Sequence, residues 1–315
     1  MLNQPLISIA VCTFNGEKHI REQLDSLVNQ NYLHKEIIIV DDHSNDNTFN
    51  ILLKYQSEYP FVKVYQNEQN LGYIRNFEKT IVFCKGDFIT ISDQDDIWDI
   101  QKLSILQSNI SNKDIMIYHD SAIVDENGKS LYKSLSKTIG YISGTANKNL
   151  LLNNCVAGHA MMFRRSLLDH IFPIPLTIPY DHWIAYIALT IGNVCYLKQN
   201  LVKYRQHTSS VTYTLHAKDN GKNIDKPANK FNDKKAADIL RVKHLKTLLY
   251  FKGNTQRDKN IIEILIKYLS DRNYSSFSFK LFILLIWNQA LLFKLYHKSF
   301  FSTSNLIFKE CKSLK

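Results

Sequence analysis

The segment ISIAVCTFNGEKHIREQLDSLVNQ, residues 7–30, joins an apolar run of strand length to a segment with helical periodicity. The run ISIAVCTF (7–14) has the length and composition of a buried strand. Behind it, apolar residues recur at helical spacing and define one helix face: Ile20, Leu24, Leu27 and Val28. Asn15 precedes this helix and is a candidate for its N-cap. This unit decides the fold, because the alternation of strand and helix continues to residue 96.

The next strand-like runs are EIIIVDD (36–42), FVKVYQN (61–67) and GDFITISDQDD (86–96). Helical patterns separate them, over residues 47–59 and at Ile74, Phe77, Ile81 and Val82. Strands that alternate with helices predict an α/β fold with a Rossmann-like, mostly parallel central sheet flanked by helices. In such sheets ligands bind beyond the carboxyl ends of the strands.

Polar and acidic residues stand where three of these strands end: TFN (13–15), DD (41–42) and SDQDD (92–96). Asp93 and Asp95 offer two carboxylates two residues apart, and hard divalent cations take oxygen ligands. A bound cation would stabilise a leaving diphosphate. An isolated pair of this kind is more often an ordinary turn, since Asp favours turns, so the other motifs must support the site.

The later sequence predicts three regions. Up to residue 215 it continues as α/β, with a strand pair around Asn127-Gly128 and a helix in DHWIAYIALTIG (181–192). Residues 216–235 are polar and basic and predict a flexible linker or lid. Residues 236–315 predict a mainly helical, basic C-terminal extension. We therefore expect a catalytic domain over 1–215 and an appended helical region.

Charge is distributed unevenly along the 315 residues. The chain has a net charge of +10, yet residues 1–215 carry 19 Lys+Arg against 21 Asp+Glu, and residues 216–315 carry 20 against 8. The basic part predicts an anionic partner, either nucleic acid or acidic lipid. The five cysteines are far apart and form no CxxC, which favours a reducing compartment over a disulfide framework or a zinc site.

The apolar segment 279–301 lies in the basic region. Its longest uninterrupted apolar stretch, Leu281–Trp287, is too short to span a bilayer. Lys280, Lys294, His297 and Lys298 border it, which fits a helix in a membrane interface. A buried helix of a C-terminal subdomain fits equally well. The first residues lack the basic leader and cleavage site of a signal peptide, so we expect a cytoplasmic protein.

Several motifs occur in the order found in one enzyme family: the opening unit 7–30, IIIVDDHSNDNT (37–48), NLGYIRN (70–76) and SDQDDIW (92–98). With these motifs, residues 5–210 resemble the inverting family 2 glycosyltransferases of the GT-A fold. DQDDIW together with YDHW (180–183) and YRQH (204–207) resembles the branch of rhamnosyltransferases and other transferases of capsule, O-antigen or cell-wall polysaccharide.

The resemblance implies a set of donor-binding residues. Thr13, Phe14 and Asp42 are expected to hold the nucleotide base, since a carboxylate accepts the imide N–H of uracil or thymine and a ring face stacks on a base. Phe14 is equally a core aromatic by composition. Arg75 is expected at the diphosphate or ribose, because guanidinium suits bidentate phosphate contact, although a surface helix is the commoner place for such an arginine.

The resemblance also implies a metal site for Mg²⁺ or Mn²⁺. Asp95 would be the direct ligand, Asp93 would contact the ribose or the metal shell, and His207 would complete the coordination. In an inverting transfer one general base deprotonates the acceptor hydroxyl, and a carboxylate suits that role.

Asp181 is the candidate base. The family pattern at this point is Glu-Asp, whereas here Tyr180 precedes Asp181, and a plain helix cap is the alternative reading. Gly158 resembles the small-residue loop beside the acceptor, and Trp183 is a candidate for stacking on an acceptor sugar. Both are equally packing residues by composition.

These features predict transfer of a sugar from a UDP- or dTDP-sugar to a glycan acceptor, lipid-linked in this branch, by an enzyme peripheral to the inner face of the cell membrane. Two alternatives stay open. A nucleotidyltransferase would normally carry a Gly-rich basic loop after the first strand, where this chain has FNGEKH (14–19). A basic membrane- or nucleic-acid-binding protein with an inactive transferase-like domain would bind polyanions and ignore nucleotide sugars. Neither GxGxxG nor a P-loop motif occurs.

Overall fold

The computed structural model describes residues 4–206, 230–274, 276–293 and 300–312. Its first part alternates strands and helices as predicted, in the order β1 (Ile7–Thr13), α1 (Ile20–Val28), β2 (Lys35–Asp41), α2 (Thr48–Glu58), β3 (Val62–Gln66), α3 (Tyr73–Phe83) and β4 (Phe88–Ser92). The remainder of the catalytic part comprises β5 (Ile97–Trp98), α4 (Lys102–Asn109), β6 (Asp114–Val124), β7 (Ser130–Ser134), α5 (Leu135–Ile139), β8 (Met161–Arg164), α6 (Leu168–Ile171), α7 (Tyr180–Ile191) and β9 (Asn193–Arg205), with 3-10 helices at Asn147–Leu150, Gly158–Ala160 and Arg165–Leu167.

The strands form one sheet in the order β3-β2-β1-β4-β8-β6-β9-β5, with β7 paired to β6. The first four strands in this order are parallel, and Ile9 of β1 lies between Ile37 of β2 and Thr90 of β4. Beyond β4 the sheet is mixed, because β8 is antiparallel to β4 and β6 while β6 and β9 are parallel. The carboxyl ends of β1, β2 and β4 therefore meet at one edge, as the α/β prediction requires.

Both faces of this sheet are covered by helices. Along β1, Ile7, Ile9 and Val11 belong to a core with α1, α2 and α4, whereas Ala10 and Cys12 belong to a core with α3, α7 and the C-terminal helices. A strand buried on both faces reads as a continuous apolar run, which is why ISIAVCTF was recognisable.

The predicted helical segment with Ile74, Phe77, Ile81 and Val82 falls on α3, where the first three are buried and Val82 is 56% exposed. One local prediction was wrong. Asn15 is not the N-cap of α1, since His19 occupies that position. Asn15 instead has a positive φ of 48°, and its side-chain oxygen accepts a hydrogen bond from the Asn45 N–H at 2.8 Å.

The C-terminal extension is helical, as predicted, with α8 (Lys230–Leu249), α9 (Gln256–Ser270), α10 (Phe279–Trp287), α11 (Gln289–Leu292) and α12 (Phe300–Cys311). Residues 230–235, which the sequence assigned to the linker, already belong to α8. No helix in the described ranges is long and apolar enough to cross a bilayer.

The extension packs on the catalytic part. The Tyr186 hydroxyl of α7 donates to Asn254 Oδ1 at 2.7 Å, the Trp183 ring meets the Phe251 ring edge-on at 5.9 Å, and Lys148 forms an ion pair with Asp258. Leu245, Ile262 and Leu281 join the core that contains α7. The inward side of α10 therefore behaves as a buried helix of a C-terminal subdomain, which was one of the two predictions for this segment.

A buried ion pair holds the extension together. Arg272 Nη1 lies 2.8 Å from Asp238 Oδ2, and both side chains are almost completely buried. We expect Arg272→Met to lower the free energy of unfolding by about 3–5 kcal/mol, because it leaves a buried carboxylate with fewer donors. Urea denaturation measures this. Arg257→Met, at an exposed arginine of α9, is the control. A loss for Arg272→Met as small as for the control would contradict the assignment.

Candidate active site

The ends of β1 and β2 are tied together by Asp41. The Thr13 hydroxyl donates to Asp41 Oδ1 at 2.8 Å, and the Ser44 N–H donates to Asp41 Oδ2 at 2.9 Å. Thr13 and Asp41 are buried. Thr13 therefore lies at the predicted strand end, where its hydroxyl holds the edge of the site in place.

Asp42 links β2 to the start of α3. Its Oδ1 accepts from Asn67 Nδ2 at 2.7 Å and from the Leu71 N–H at 2.8 Å, and its Oδ2 accepts from the Gly72 N–H at 2.9 Å. The side chain is 2% exposed. An ionised carboxylate has about four acceptor sites, so these three bonds leave room for one further donor on Oδ2. The predicted contact to a base stays a prediction.

Phe14 lies beside the DQDD loop. Gln94 binds its backbone on both sides: the Phe14 N–H donates to Gln94 Oε1 at 2.8 Å, and Gln94 Nε2 donates to the Phe14 carbonyl at 3.1 Å. The ring of Phe14 is 41% exposed, so it is not the core aromatic that composition allowed. Its face is accessible at the end of β1.

Two carboxylates of the acidic loop after β4, Asp93 and Asp95, lie near a third one, that of Asp181. Burial, followed by the negative charges of Asp95 and Asp181, raises the pKa of Asp93 to about 7. The same group of charges connects the β4 loop to the start of α7, because Asp181 lies near enough to Asp93 to influence it. The structure thus brings Asp181 close to Asp93 and Asp95, from which it is separated by 88 and 86 positions in the sequence.

The end of β9 is fastened to this loop. The Arg205 N–H donates to Asp96 Oδ1 at 3.0 Å, and Arg205 Nε donates to the Asp95 carbonyl at 2.8 Å. The predicted ligand His207 lies outside the described residues, two positions beyond Arg205 in the chain.

A buried cluster behind the loop was not predicted from the sequence. Asp93, Asp96 and His159 place one ligand atom each within 4.8 Å of one another, a group that could hold a metal ion. His159 Nδ1 lies 3.6 Å from Asp96 Oδ2, which has no hydrogen-bond partner among the described residues. Burial lowers the pKa of His159 to about 3, so its imidazole is neutral.

Lys102 lies beside this cluster. It is completely buried, its Nζ donates to the His159 carbonyl at 2.7 Å, and Nζ lies 3.1 Å from the centroid of the Trp98 ring. Burial lowers the pKa of Lys102, while the charges of Asp96 and Asp93 act in the opposite direction. No sequence signal indicates this role, because Lys102 begins an ordinary helix. Asp96 and His159, by contrast, adjoin residues that the motifs had singled out.

Asp181 occupies the first turn of α7. Its Oδ1 accepts from the His182 N–H at 2.6 Å, and the Gly158 N–H also donates to its carboxylate. Burial raises the pKa of Asp181 to about 6, and these N–H groups oppose the rise. The carboxylate is oriented by backbone and is predominantly ionised at neutral pH, as a general base requires.

Gly158 is required by close packing. A Cβ at this position would lie 2.1 Å from the Tyr180 hydroxyl oxygen. Tyr180 is buried, and its ring lies 4.3 Å from the Phe77 ring. Gly158 therefore permits the contact between its loop and the start of α7. Its predicted contact to an acceptor stays a prediction.

Arg75 and Trp183 have protein partners. Arg75 forms an ion pair with Glu78, and its Nη1 donates to the Ile174 carbonyl at 3.0 Å. Trp183 is 7% exposed, and its Nε1 donates to the Ile171 carbonyl at 2.8 Å. Both residues thus have packing or bridging roles in the described structure. Their predicted contacts to diphosphate and to acceptor sugar stay predictions.

Comparisons with known proteins show which proteins this chain resembles. The chain is 28% identical over 215 residues to the UDP-Glc:alpha-D-GlcNAc-diphosphoundecaprenol beta-1,3-glucosyltransferase WfgD of Escherichia coli, covering 66% of this chain and 79% of WfgD. It is similar in fold to S. aureus TarS 1-349 in complex with UDP-GlcNAc, with a TM-score of 0.58, 20% identity and coverage of 96% of this chain and 88% of TarS 1-349.

A second similar structure is the mannosyltransferase PcManGT from Pyrobaculum calidifontis in complex with GDP-Man and Mn²⁺, with a TM-score of 0.55, 15% identity and coverage of 97% of this chain and 79% of that one. These likenesses confirm the predicted GT-A fold. The model of the family described as Glycosyl transferase family 2 matches residues 8–172, just over half of the chain. The chain therefore belongs to glycosyltransferase family 2.

Proposed function

We propose that this glycosyltransferase transfers a sugar, with inversion, from a UDP- or dTDP-sugar to a hydroxyl of a glycan acceptor in polysaccharide biosynthesis. The observation that carries the proposal is that Asp181, at the start of α7, lies close to Asp93 and Asp95 beyond the carboxyl end of β4. Two carboxylates there suit a cation beside a diphosphate, and the third suits a base. TarS and PcManGT, similar in fold, have been solved with nucleotide sugars.

The donor base would lie against the ends of β1 and β2. Phe14 offers an accessible ring face for stacking, and Asp42 Oδ2 has room for one more donor, which the imide N–H of uracil or thymine would supply. Thr13 keeps this edge in position through Asp41. Arg75 would reach the diphosphate or ribose by exchanging its bond to Glu78 for a phosphate oxygen.

Asp95, Asp93 and His207 would hold Mg²⁺ or Mn²⁺. The carboxylate oxygens fit such ions, and β9 ends beside Asp95 just before His207. The trio of Asp93, Asp96 and His159 is the alternative set of ligands. We favour the first set because Asp96 Oδ1 already accepts the Arg205 N–H and both Asp96 and His159 are buried, whereas Asp95 lies in the loop at the end of β4. When bound, the metal supplies charge stabilisation to the leaving diphosphate.

Asp181 would act as the general base. Its carboxylate would accept the proton of the acceptor hydroxyl as that oxygen attacks the anomeric carbon, and the His182 and Gly158 N–H groups would hold it in place. The shorter side chain of aspartate suffices at this position, because the start of α7 brings Asp181 within electrostatic range of Asp93.

The acceptor would approach beside Gly158 and Trp183. Trp183 lines a cleft of about 600 Å³ together with Phe172, Pro175, Tyr250 and Lys252, and such a mixed aromatic and polar lining suits a sugar. The name of WfgD describes a diphosphoundecaprenol-linked acceptor. By analogy we propose a lipid-linked acceptor and a peripheral position at the inner face of the cell membrane.

The proposal is tested with a panel of UDP- and dTDP-sugars incubated with the full chain and Mn²⁺, without acceptor. We expect slow release of UDP or dTDP from one or a few donors, and loss of this release in EDTA. Release that is equal with and without metal would contradict the metal site, and no release from any donor would contradict the donor class.

A further inference from the structure

The two longest described helices after residue 274 present apolar side chains to solvent. We call this surface the aromatic face, and it comprises Phe279, Ile283 and Trp287 of α10 with Phe301 and Phe308 of α12. Phe279 is 64% exposed, Trp287 85% and Phe301 83%. Single exposed apolar residues are ordinary, whereas a contiguous group of large ones marks an interaction surface.

The two helices that carry the aromatic face are neighbours. Phe279, Ile283 and Trp287 follow one another at intervals of four, which places them on one side of α10. The Ser278 N–H donates to the Cys311 carbonyl at 3.0 Å, so the start of α10 lies at the end of α12. Between the two helices, the Phe308 ring lies 6.2 Å from the ring of Phe282.

The side chains of Phe279, Ile283 and Trp287 lie outside the hydrophobic cores. The opposite side of α10 buries Leu281 and Leu285 in the core that contains α7, and Phe282, Leu284 and Ile286 pack against that core. Leaving a Trp side chain in water forgoes about 25 cal/mol for each Å² of apolar surface that a partner would cover.

The charge beside the aromatic face is positive. Lys280, Lys309 and Lys312 are exposed, and none of them has a carboxylate within 4 Å among the residues that the structure describes. The one acidic residue in the described parts of this hairpin, Glu310, is turned inward, where it pairs with Arg241 at 2.6 Å. A partner must therefore be both apolar and anionic.

We propose that the aromatic face docks onto the surface of an anionic lipid bilayer, with α10 and α12 lying in the plane of the interface. The rings would enter the boundary between headgroups and acyl chains, where Trp is favoured, and the lysines would contact lipid phosphates. The inference rests on the proposed function for its purpose, because a lipid-linked acceptor has to be met at a membrane. A second copy of the chain would cover the rings, but it would also place its own lysines against Lys280, Lys309 and Lys312.

Trp287 is a built-in reporter for this docking. Of the three tryptophans, Trp98 is 4% exposed and Trp183 7%, against 85% for Trp287. Adding vesicles that contain phosphatidylglycerol should shift the tryptophan emission of the full chain to shorter wavelength, and brominated acyl chains should quench it. Vesicles of phosphatidylcholine alone should do so much less. An unchanged spectrum would overturn the proposal, and equal shifts with both lipids would overturn the choice of an anionic surface.

Vesicle co-sedimentation gives the matched test. We expect Trp287→Glu, and likewise Phe279→Glu, to weaken binding to anionic vesicles by at least about ten-fold, because each places a carboxylate among headgroups. Leu33→Glu is the control, since Leu33 is 94% exposed on the catalytic part and should leave binding unchanged. Equal binding by all three variants would overturn the proposal. So would a wild-type dimer that Trp287→Glu converts to monomer in the absence of lipid.

Failure here is distinguishable from failure of the proposed function. Acceptor-free release of nucleoside diphosphate should be the same in Trp287→Glu and in the wild-type protein, because Trp287 does not belong to the active site. Loss of vesicle binding with that release intact supports a docking surface separate from catalysis. Vesicle binding by a protein that hydrolyses no donor would leave the surface standing and remove the transferase proposal.

Discussion

Replacing Asp181 with asparagine is expected to lower the rate of donor turnover by about 10²–10⁴-fold, the range attributed to a positioned general base. The amide oxygen of asparagine can still accept the N–H groups of His182 and Gly158, so the local geometry is retained. Affinity for the donor should change little, since the base contacts the attacking hydroxyl rather than the nucleotide. Steady-state release of nucleoside diphosphate, with binding measured separately, checks both expectations.

Asp271→Asn is the control, because Asp271 is an exposed carboxylate at a helix end, directly after α9. It should leave turnover unchanged. If Asp181→Asn retained wild-type turnover, Asp181 would be only a helix-end residue and the assigned base would be wrong.

The pH dependence of turnover follows from the same group. Burial raises the pKa of Asp181 to about 6, so its base form predominates above that pH and is lost below it. At saturating Mn²⁺, which holds Asp93 in its ionised form, we expect the rate to be level near neutral pH and to fall about ten-fold per unit as the pH drops below about 6. A rate that does not change between pH 7.5 and about 5 would exclude Asp181 as the base.

Replacing Asp95 with asparagine is expected to remove most of the response of turnover to Mn²⁺ and to lower the rate by about 10²–10³-fold, the scale of losing one electrostatic stabiliser of a developing charge. An amide is a weaker ligand than a carboxylate and carries no charge to offset the cation. Titration of activity with Mn²⁺ in each variant provides the measurement.

Glu126→Gln is the control for the loss of one negative charge near the site. Glu126 has a partly exposed carboxylate, and its backbone carbonyl accepts a hydrogen bond from Arg205. It therefore lies near the loop of Asp93 and Asp95 without being an assigned ligand. We expect its Mn²⁺ titration to match the wild-type curve. A normal Mn²⁺ response in Asp95→Asn would instead direct attention to the trio of Asp93, Asp96 and His159.

The strands and the edge that they share could be predicted from the sequence. Buried parallel strands read as uninterrupted apolar runs, and the polar residues that end them mark the edge of the sheet at which ligands bind. That is why Thr13, Asp42 and the loop from Asp93 to Asp95 were found without a structure. Asp181 came from the family resemblance, and its proximity to Asp93 came from the structure.

The buried charges could not be predicted, since they depend on contacts distant in the chain. Lys102 donates to the carbonyl of His159, 57 positions away, and no local pattern marks Lys102. The burial of Trp183 could not be predicted either, because it depends on the elements packed around it, where its indole N–H donates to the Ile171 carbonyl. Composition alone also left α10 between two readings. The structure gives it a buried side facing the core, as the subdomain reading requires, and an exposed side, on which the membrane reading stays a prediction.

The most direct test of the metal-assisted site is calorimetric titration of UDP and dTDP into the full chain, once with Mn²⁺ and once with EDTA. The account predicts a measurable heat of binding for at least one nucleotide with Mn²⁺, and an affinity at least about ten-fold weaker in EDTA. Equal affinity in both conditions, or no heat from either nucleotide with Mn²⁺ present, would contradict it.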